Sequence, residues 1–188
     1  MVSSDKFVLY SDFNCPFCYA QHERLHQMDL LHRCEWRGVQ HAPHLPKSMK
    51  PWQGSWEAEL RHEVAVVQRL APGLPIALPS GKPNTQAAIE QAISLLGQDV
   101  ARGMDFLQRA YRAFWCEGQD ISDPKILEQL AGEHFTEDVD GHSRSTTQKW
   151  ETAWHATGQT GVPLIVAPDG DFLVGYVSAD QVRSFFSG

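Results

Sequence analysis

Basic segments, long apolar runs and a dense set of cysteines are all missing from this sequence of 188 residues. Lysine and arginine number 16 against 23 aspartate and glutamate residues, which gives a formal net charge of −7. Nucleic acids and anionic membranes attract basic stretches, so we expect neither as a partner. No stretch approaches the roughly 18 to 20 consecutive apolar residues that a membrane span needs.

The N-terminal segment also lacks the features of a secretory signal. Its only apolar run is Phe7 to Tyr10, and neither a basic start nor a small-residue cleavage site accompanies it. We therefore expect a cytoplasmic protein. Four cysteines are too few for a disulfide scaffold in a chain of this length, and in a reducing compartment they indicate catalysis or metal binding.

What the sequence does contain is enough apolar material for a folded core. Apolar residues make up 42% and charged residues 21% of the chain, so neither a disordered nor a fibrous protein is expected. A chain of this size hides roughly 70% of its unfolded surface on folding. It therefore needs no disulfide or metal merely to form a core.

The first 40 residues predict one βαβ unit. A short apolar strand over 6–10 ends at a turn signal, a helix begins at Pro16 and runs to about Leu31, and a second strand covers 34–40. Strands joined by a helix in this way are usually parallel neighbours in one sheet.

The rest of the chain predicts a block of helices and then a return to strands. The predicted helices cover 56–70, a segment after Asn84 or Thr85, 99–115, a segment opened by Asp123-Pro124, and 146–156. The predicted strands cover 164–167 and 172–177 around a turn at Asp169-Gly170, and Ser178 or Asp180 caps a closing helix. Without the helical block, the order βαβ and ββα indicates an α/β sandwich of four strands and two helices.

Cys15-Pro16-Phe17-Cys18 is the motif that carries chemistry, because it follows a strand and opens a helix. The attacking species is a thiolate, and a free thiol with a pKa of ~8.5 is only about 3% ionised at pH 7. Unpaired N–H groups and the macrodipole at a helix start favour the anion. We predict that Cys15 attacks with a lowered pKa and that Cys18, one turn further in, is the buried resolving thiol.

Two other interpretations of the motif stay open. The pair could be unreactive helix cysteines, or half of a zinc site that lacks its other ligands.

His22-Glu23-Arg24-Leu25-His26 matches H-E-x-x-H, the helix signature of zinc proteases. Arg24 lies where that helix is usually apolar and no third ligand follows, so we expect His22 and Glu23 to belong to a solvent-facing polar stripe.

Pro163 follows Gly161 and Val162 directly before a predicted strand. A cis X–Pro bond costs only about 0.5–1 kcal/mol, and a cis Val162–Pro163 bond would turn the Val162 backbone towards the helix start that bears Cys15. That backbone could then pair with an extended substrate. The residues alone favour the alternative, a trans proline beginning an edge strand.

Three segments together resemble the DsbA-like thioredoxin superfamily, and most of all its cytosolic FrnE-type branch. They are Ser11 to Tyr19 (SDFNCPFCY), Phe114 to Pro124 (FWCEGQDISDP) and Thr160 to Pro163 (TGVP). They span nearly the whole chain in the order of the family. The resemblance implies a thioredoxin fold, formed by residues 1–45 and 158–188, with an all-α domain inserted over 46–157.

The same resemblance implies roles for individual residues. Cys15 would be the nucleophile, Cys18 its partner and Pro163 a cis-proline beside them. Pro16 and Phe17 would tune the thiols and, with Val162 and Pro163, contact the substrate.

A sister branch contains the glutathione-dependent 2-hydroxychromene-2-carboxylate isomerases and the kappa-class glutathione transferases. Those proteins usually carry serine in place of the first cysteine and a Phe-Trp-Gly-x-Asp-Arg-like stretch near the end. This sequence has Cys15, and Leu173 to Val177 (LVGYV) lacks the Asp-Arg pair. Both departures favour dithiol chemistry.

The remaining conspicuous residues are expected to be structural. Cys34 and Cys116 would be unpaired thiols, with a secondary redox role weighed for Cys116. The pairs Trp52/Trp56 and Trp150/Trp154 would belong to the core, with an apolar substrate groove as the alternative if one pair flanks Cys15. His41 and His44 would be solvated, and Asp12 would close the turn before Cys15.

We therefore expect a protein-disulfide oxidoreductase that acts through a mixed disulfide at Cys15. The alternatives are a glutathione-dependent isomerase or transferase and a redox-inactive module that binds extended peptides. The expected partners are protein or small-molecule thiols and disulfides, with glutathione as co-substrate under the first alternative. No metal and no other cofactor is expected.

Overall fold

The computed structural model describes residues 5–52, 54–135 and 141–188, and its elements follow the predicted order. The strands are β1 (Phe7–Ser11), β2 (Cys34–Gly38), β3 (Leu164–Val166) and β4 (Phe172–Val174). The helices are α1 (Pro16–Gln27), α2 (Trp56–Leu70), α3 (Gln86–Gln98), α4 (Val100–Trp115), α5 (Pro124–Ala131), α6 (His142–Ala156) and α7 (Ala179–Ser187). Within these described ranges, no helix combines the length and the apolar character that a membrane crossing requires.

The four strands form one mixed sheet in the order β2-β1-β3-β4. As predicted, β1 and β2 are parallel, with Leu9 opposite Trp36. Strand β3 runs antiparallel to β1 on its other side, with Leu9 opposite Ile165, and β4 pairs antiparallel with β3. The prediction of an α/β fold interrupted by helices is confirmed, because α2 to α6 all lie between β2 and β3 in the chain.

Around β1 both faces of the sheet are covered, and the side chains of β1 alternate between them. On one face Phe7 stacks on Phe186 of α7, with ring centroids 4.1 Å apart, and Leu9 packs in the same core as α1 and α4. On the other face Tyr10 packs with Trp154 of α6. Strand β1 is therefore largely buried, and the turn between β1 and α1 lies at its carboxyl end.

The turn between β1 and α1 is supported from below by α4. The Ser11 hydroxyl and the Tyr111 hydroxyl lie 2.6 Å apart, and the indole N–H of Trp115 donates to the Phe13 carbonyl at 2.8 Å. Tyr111 and Trp115 are fully buried. The residues that precede Cys15 are thus fixed by side chains about 100 positions away in the sequence.

Helix α1 and strand β4 end three or four residues earlier than predicted, each for a local reason. Helix α1 stops at Gln27 because Asp29 adopts a positive φ of 53° and the Leu30 N–H turns back to the Leu25 carbonyl at 2.8 Å. Strand β4 stops at Val174 because Gly175 takes a φ of 79°, which glycine adopts without steric cost. The Gly175 N–H then donates to the Pro163 carbonyl at 2.7 Å.

Candidate active site

Cys15 lies at the start of α1, where the sequence predicts it. It is the N-cap residue, with φ −102° and ψ 119°, and Pro16 occupies the first helical position. Proline suits that position because its missing N–H would have no partner there. Cys15 and Cys18 are both free thiols and both buried, with 6% and 1% of their surface exposed.

The pKa values of the two thiols shift in opposite directions. The pKa of Cys15 is lowered because the Cys18 thiol donates a hydrogen bond to its sulfur; burial opposes this shift, and the charge of His41 supports it. The pKa of Cys18 is raised well above its ordinary value by burial and by the neighbouring Cys15. A charged Cys15 beside a neutral Cys18 is the arrangement of an attacking thiolate and a resolving thiol.

The loop before β3 brings Val162 and Pro163 to the same place. The Val162–Pro163 peptide bond is cis, and the Cys15 sulfur lies 3.6 Å from the Val162 carbonyl oxygen. Pro163 is buried and Val162 is half-buried. Of the two residues between the cysteines, Phe17 is half-buried and Pro16 is buried, so Phe17 has the side chain that a ligand can reach more easily.

Asp12 contacts both thiols through its backbone and a histidine through its side chain. Its carbonyl accepts the Cys15 N–H at 3.2 Å, and its own N–H lies 3.4 Å from the Cys18 sulfur. Its carboxylate accepts the Thr85 hydroxyl at 2.6 Å, the His41 N–H at 3.0 Å and the His41 ring at Nδ1, 2.7 Å away. Asp12 therefore organises the turn, as expected, and also a charged cluster that the sequence analysis did not anticipate.

The prediction that His41 is solvated is wrong, whereas the exposed His44 agrees with it. His41 lies just beyond β2, and its Nε2 is 3.1 Å from the Lys82 amine. Because β1 and β2 are parallel, the residues that follow them lie at the same sheet edge. The parallel pairing of β1 and β2 could therefore have predicted that His41 lies near Asp12. No sequence signal predicted the approach of Lys82 and Thr85, which come from the segment before α3.

A groove lies between the loop after β2 and the segment before α3. Its volume is about 390 Å³. Its lining residues are Leu45, Pro46, Lys50, Pro51, Trp52, Gly54, Trp56 and Lys82. Asn14, next to Cys15, donates to the carbonyl of Pro83 at 2.8 Å, so the wall of the groove that carries Lys82 is attached to the start of α1.

The two tryptophan pairs differ in their surroundings. Trp154 is buried under the sheet and Trp150 packs partly against it, which confirms the core prediction for that pair. Trp56 is 39% exposed, and Trp52 is half-buried with its indole N–H donating to the Pro79 carbonyl. The core prediction is therefore wrong for Trp56, which lines the groove.

The predicted solvent-facing stripe along the H-E-x-x-H segment is wrong for His22 and Glu23, whereas His26 is exposed as expected. His22 and Glu23 are buried because they face α4. The His22 ring contacts the Gln108 carboxamide at 2.9 Å, and Arg112 binds both oxygens of Glu23 at 3.0 and 2.9 Å. In the described part of the chain, no three histidine, cysteine or acidic residues are grouped so that they could hold a metal ion.

The other two cysteines lie away from the dithiol and are free. Cys34 is buried at the start of β2, and burial raises its pKa to about 12. Cys116 follows α4 and is half-buried, with its sulfur 3.2 Å from the Tyr19 hydroxyl. These surroundings agree with the structural role predicted for both residues.

A sheet of this order, with a dithiol at the first helix and a helical block inserted before its antiparallel strands, defines a thioredoxin-like fold. The family comparison specifies it further. The chain belongs to the family of the DSBA-like thioredoxin domain, whose model matches residues 7–187.

Solved structures with the same fold carry several activities in their names. A probable DsbA oxidoreductase of Streptomyces coelicolor matches with a TM-score of 0.74 and 18% identity, over 97% of this chain and 88% of that one. The cytosolic disulfide reductase DsbM of Pseudomonas aeruginosa gives 0.70 and 19%, over 97% of each chain. A 2-hydroxychromene-2-carboxylate isomerase gives 0.70 and 19%, over 96% and 92%.

These identities support a shared fold and leave the activity to be argued from the site. A search of curated proteins found no match to the chain.

Proposed function

We propose that this protein is a thiol–disulfide oxidoreductase that works through a mixed disulfide at Cys15. The observation that carries the proposal is the opposite shift of two adjacent thiols, with the pKa of Cys15 lowered and that of Cys18 raised. One sulfur is then a thiolate that attacks, and the other keeps its proton until it is needed. The position of Cys15 as the N-cap of α1, with its sulfur 3.6 Å from the Val162 carbonyl oxygen beside the cis Val162–Pro163 bond, supports the same proposal.

In the reducing direction, the Cys15 thiolate attacks one sulfur of a substrate disulfide. The substrate S–S bond breaks, a mixed disulfide forms at Cys15, and the first substrate thiolate leaves and takes up a proton. Cys18 then loses its proton and attacks the Cys15 sulfur. The Cys15–Cys18 disulfide forms, the second substrate thiolate leaves, and two electrons have passed from the enzyme to the substrate.

In the oxidising direction the same steps run in reverse. A substrate thiolate attacks the Cys15 sulfur of the oxidised pair and Cys18 leaves as the thiolate that becomes protonated. The second substrate thiolate resolves the mixed disulfide and releases the Cys15 thiolate. Because the low pKa of Cys15 stabilises the reduced form, it makes the Cys15–Cys18 disulfide a stronger oxidant than a pair of ordinary thiols would be.

The surroundings of Cys15 support thiols and disulfides with apolar and anionic parts as substrates. The Val162 carbonyl lies at the thiol, and the half-buried Phe17 lies between the two cysteines in the sequence, so an extended substrate could pair with the backbone and pack on the ring. The groove beyond them combines Trp52 and Trp56 with two lysines. Glutathione is a small thiol of this kind, and a structure of DsbM contains it. We propose no metal and no further cofactor.

The second candidate is a glutathione-dependent isomerase, in which the Cys15 thiolate would assist glutathione chemistry without forming a disulfide with Cys18. The fold shared with the 2-hydroxychromene-2-carboxylate isomerase favours keeping it. We also propose that the protein works in the cytoplasm, as the name of DsbM states for that protein.

Cys15→Ser and Cys18→Ser distinguish the candidates when each is assayed for insulin reduction, dithiol oxidation and glutathione-dependent chromene isomerisation. For an oxidoreductase, Cys15→Ser abolishes turnover and Cys18→Ser accumulates mixed disulfides that mass spectrometry detects. Cys34→Ser is the matched control and keeps turnover. Isomerase turnover that survives in Cys18→Ser, with no dithiol activity in the wild type, would overturn the proposal in favour of the second candidate.

A further inference from the structure

The steps of thiol–disulfide exchange described above involve only the two thiols, although the site also holds His41 firmly. Its ring and its backbone N–H both bind one oxygen of Asp12. Asp12 is fully buried, and its other oxygen accepts the Thr85 hydroxyl. A buried carboxylate needs partners of this kind, so the ring of His41 is fixed in one orientation by a residue that cannot leave.

The same Asp12 contacts both cysteines through its backbone. The Val39 N–H donates to the Ser11 carbonyl at 3.0 Å, which continues the pairing of β1 and β2 beyond the end of β2. His41 follows two residues later. Sheet pairing and Asp12 together therefore hold His41 at the edge where α1 begins, and its charge acts on Cys15.

We infer that His41 is a positioning residue of the dithiol, whose protonated ring, oriented by Asp12, stabilises the thiolate of Cys15 and with it the reduced pair. The inference rests on the proposed function, because it concerns the charge of the attacking sulfur.

Three charged or titratable groups act on the ring, and a fourth acts on Asp12. Burial opposes protonation of His41, but the hydrogen bond and charge of Asp12 and the charge of Cys15 outweigh it and raise the pKa of His41. Lys82 acts in the other direction, since its amine can donate to Nε2 only while that nitrogen carries no proton. Glu151 of α6 is a further carboxylate that interacts with Asp12.

Reduction of the disulfide should therefore bring a proton to His41. The pair takes up two electrons and one proton to give the Cys15 thiolate and the Cys18 thiol. The new negative charge at Cys15 favours the imidazolium, so a second proton binds His41 at any pH between its pKa values in the disulfide and reduced forms. By linkage, the charge on His41 favours the thiolate to the same extent.

The sign of the pH dependence follows. The pKa of His41 is raised by the thiolate, so the stabilisation of the reduced form is present below this pKa and is lost as the pH rises through it. It also disappears at low pH, where Cys15 itself is protonated. The effect of His41 is therefore confined to the pH interval between the pKa of Cys15 and the pKa of His41 in the reduced protein.

His41→Gln tests the inference, with His44→Gln as the control, because His44 is an exposed histidine of the same loop. Alkylation of Cys15 by iodoacetamide across a pH series reports its thiolate fraction. A nearby opposite charge shifts a pKa by about one unit or more. We expect His41→Gln to slow alkylation about tenfold below the midpoint and to shift the equilibrium with glutathione by a similar factor, while His44→Gln matches the wild type.

NMR titration of the His41 ring in the wild type provides a readout that does not depend on a variant. We expect a higher midpoint in the reduced protein than in the disulfide form, and a still higher one in Lys82→Met. Equal midpoints in the two redox forms would overturn the inference, as would overlapping alkylation profiles of His41→Gln and the wild type. If instead Cys15 and Cys18 never form a disulfide and the wild type has no dithiol activity, the proposed function fails, not the role of His41 alone.

Discussion

His22 in α1 and His41 after β2 each belong to a cluster of hydrogen-bonded polar side chains, and the pKa values of the two histidines shift in opposite directions. His41 binds a carboxylate, and its pKa is raised even though burial opposes this. His22, in α1, binds the carboxamide of Gln108, and burial lowers its pKa to about 4. The difference lies in the partner, because a neutral amide cannot compensate an imidazolium for the loss of water.

The cluster around His22 has a structural role, whereas the cluster around His41 acts on the dithiol. A carboxylate does lie next to His22, but Arg112 already binds both oxygens of Glu23. That pair joins α1 to α4, and its two charges act on His22 in opposite directions, since Glu23 raises the pKa of His22 and Arg112 lowers it. At the start of α1, Asp12 has no arginine partner among the described residues, and its charge acts on His41 instead. One cluster therefore holds helices together, and the other controls a thiol.

The largest effect should follow from breaking the Arg112–Glu23 pair. In Arg112→Met the carboxylate of Glu23, 3% exposed, stays buried without its cation. Removing one partner of a buried ion pair costs about 3–5 kcal/mol, and we expect about 3 kcal/mol at pH 7 because Arg112 itself is half exposed. The free energy of unfolding in urea measures this loss.

The sign of its pH dependence is fixed by Glu23. Burial alone would raise the pKa of Glu23, but the hydrogen bonds and charge of Arg112 lower it. The stability from this pair is present above the unfolded pKa of about 4.3 and is lost as the pH falls through the folded value. The gap between wild type and variant should therefore narrow in acid. Arg109→Met, which breaks an exposed ion pair with Asp105 on the same helix, is the control and should cost less than about 1 kcal/mol.

The same variant sharpens the comparison when its thiol is examined. Arg112→Met should leave the alkylation profile of Cys15 unchanged, because no contact links Arg112 to the dithiol among the described residues. A shift of that profile as large as the one expected for His41→Gln would show that the two clusters are not separate.

A smaller effect is expected from His22→Gln, and only in acid. The pKa of His22 falls from an unfolded value near 6.5 to about 4, so the unfolded chain binds more protons and stability is lost as the pH drops from about 6.5 to about 4. One pKa unit corresponds to 1.36 kcal/mol. The variant should therefore gain about 2–3 kcal/mol on the wild type between pH 7.5 and pH 4.5, measured from urea midpoints.

His44→Gln is again the matched control, since an exposed histidine should leave this pH dependence parallel to the wild type. If the stability curves of His22→Gln and the wild type against pH are parallel as well, His22 binds its proton as readily in the folded protein as in the unfolded chain. The contrast with His41 would then be lost.

Most of the fold could be predicted from the sequence because its signals are local. Pro16 at a helix start, Ser178 as the cap of α7 and the alternation along β1 each depend on a few neighbouring residues. The errors occurred where a distant partner decides. Polar residues such as His22 and Glu23 in α1 predict an exposed helix face, but α4 packs against this face and buries both side chains.

The candidate site was predictable to the same extent. Cys15 and Cys18 form a local motif whose position at a helix start follows from the preceding strand. The cluster around Asp12 is assembled from three separate segments, and the spacing of Asp12, His41 and Lys82 carries no periodic signal. The parallel pairing of β1 and β2 could have indicated His41, but Lys82 approaches from a proline-rich loop for which the sequence offers no geometry.

The smallest effect is expected from Cys116→Ser, which tests whether the contact between Tyr19 of α1 and Cys116 influences the dithiol. Tyr19 directly follows Cys18, and its hydroxyl lies 3.2 Å from the Cys116 sulfur. Serine can replace that contact, so Cys116→Ser should change the free energy of unfolding by less than about 1 kcal/mol. The equilibrium of the Cys15–Cys18 pair with glutathione should change less than twofold. A larger redox change would mean that Cys116 is coupled to the dithiol through Tyr19. The residues that influence the dithiol would then extend past the start of α1 to its contact with Cys116.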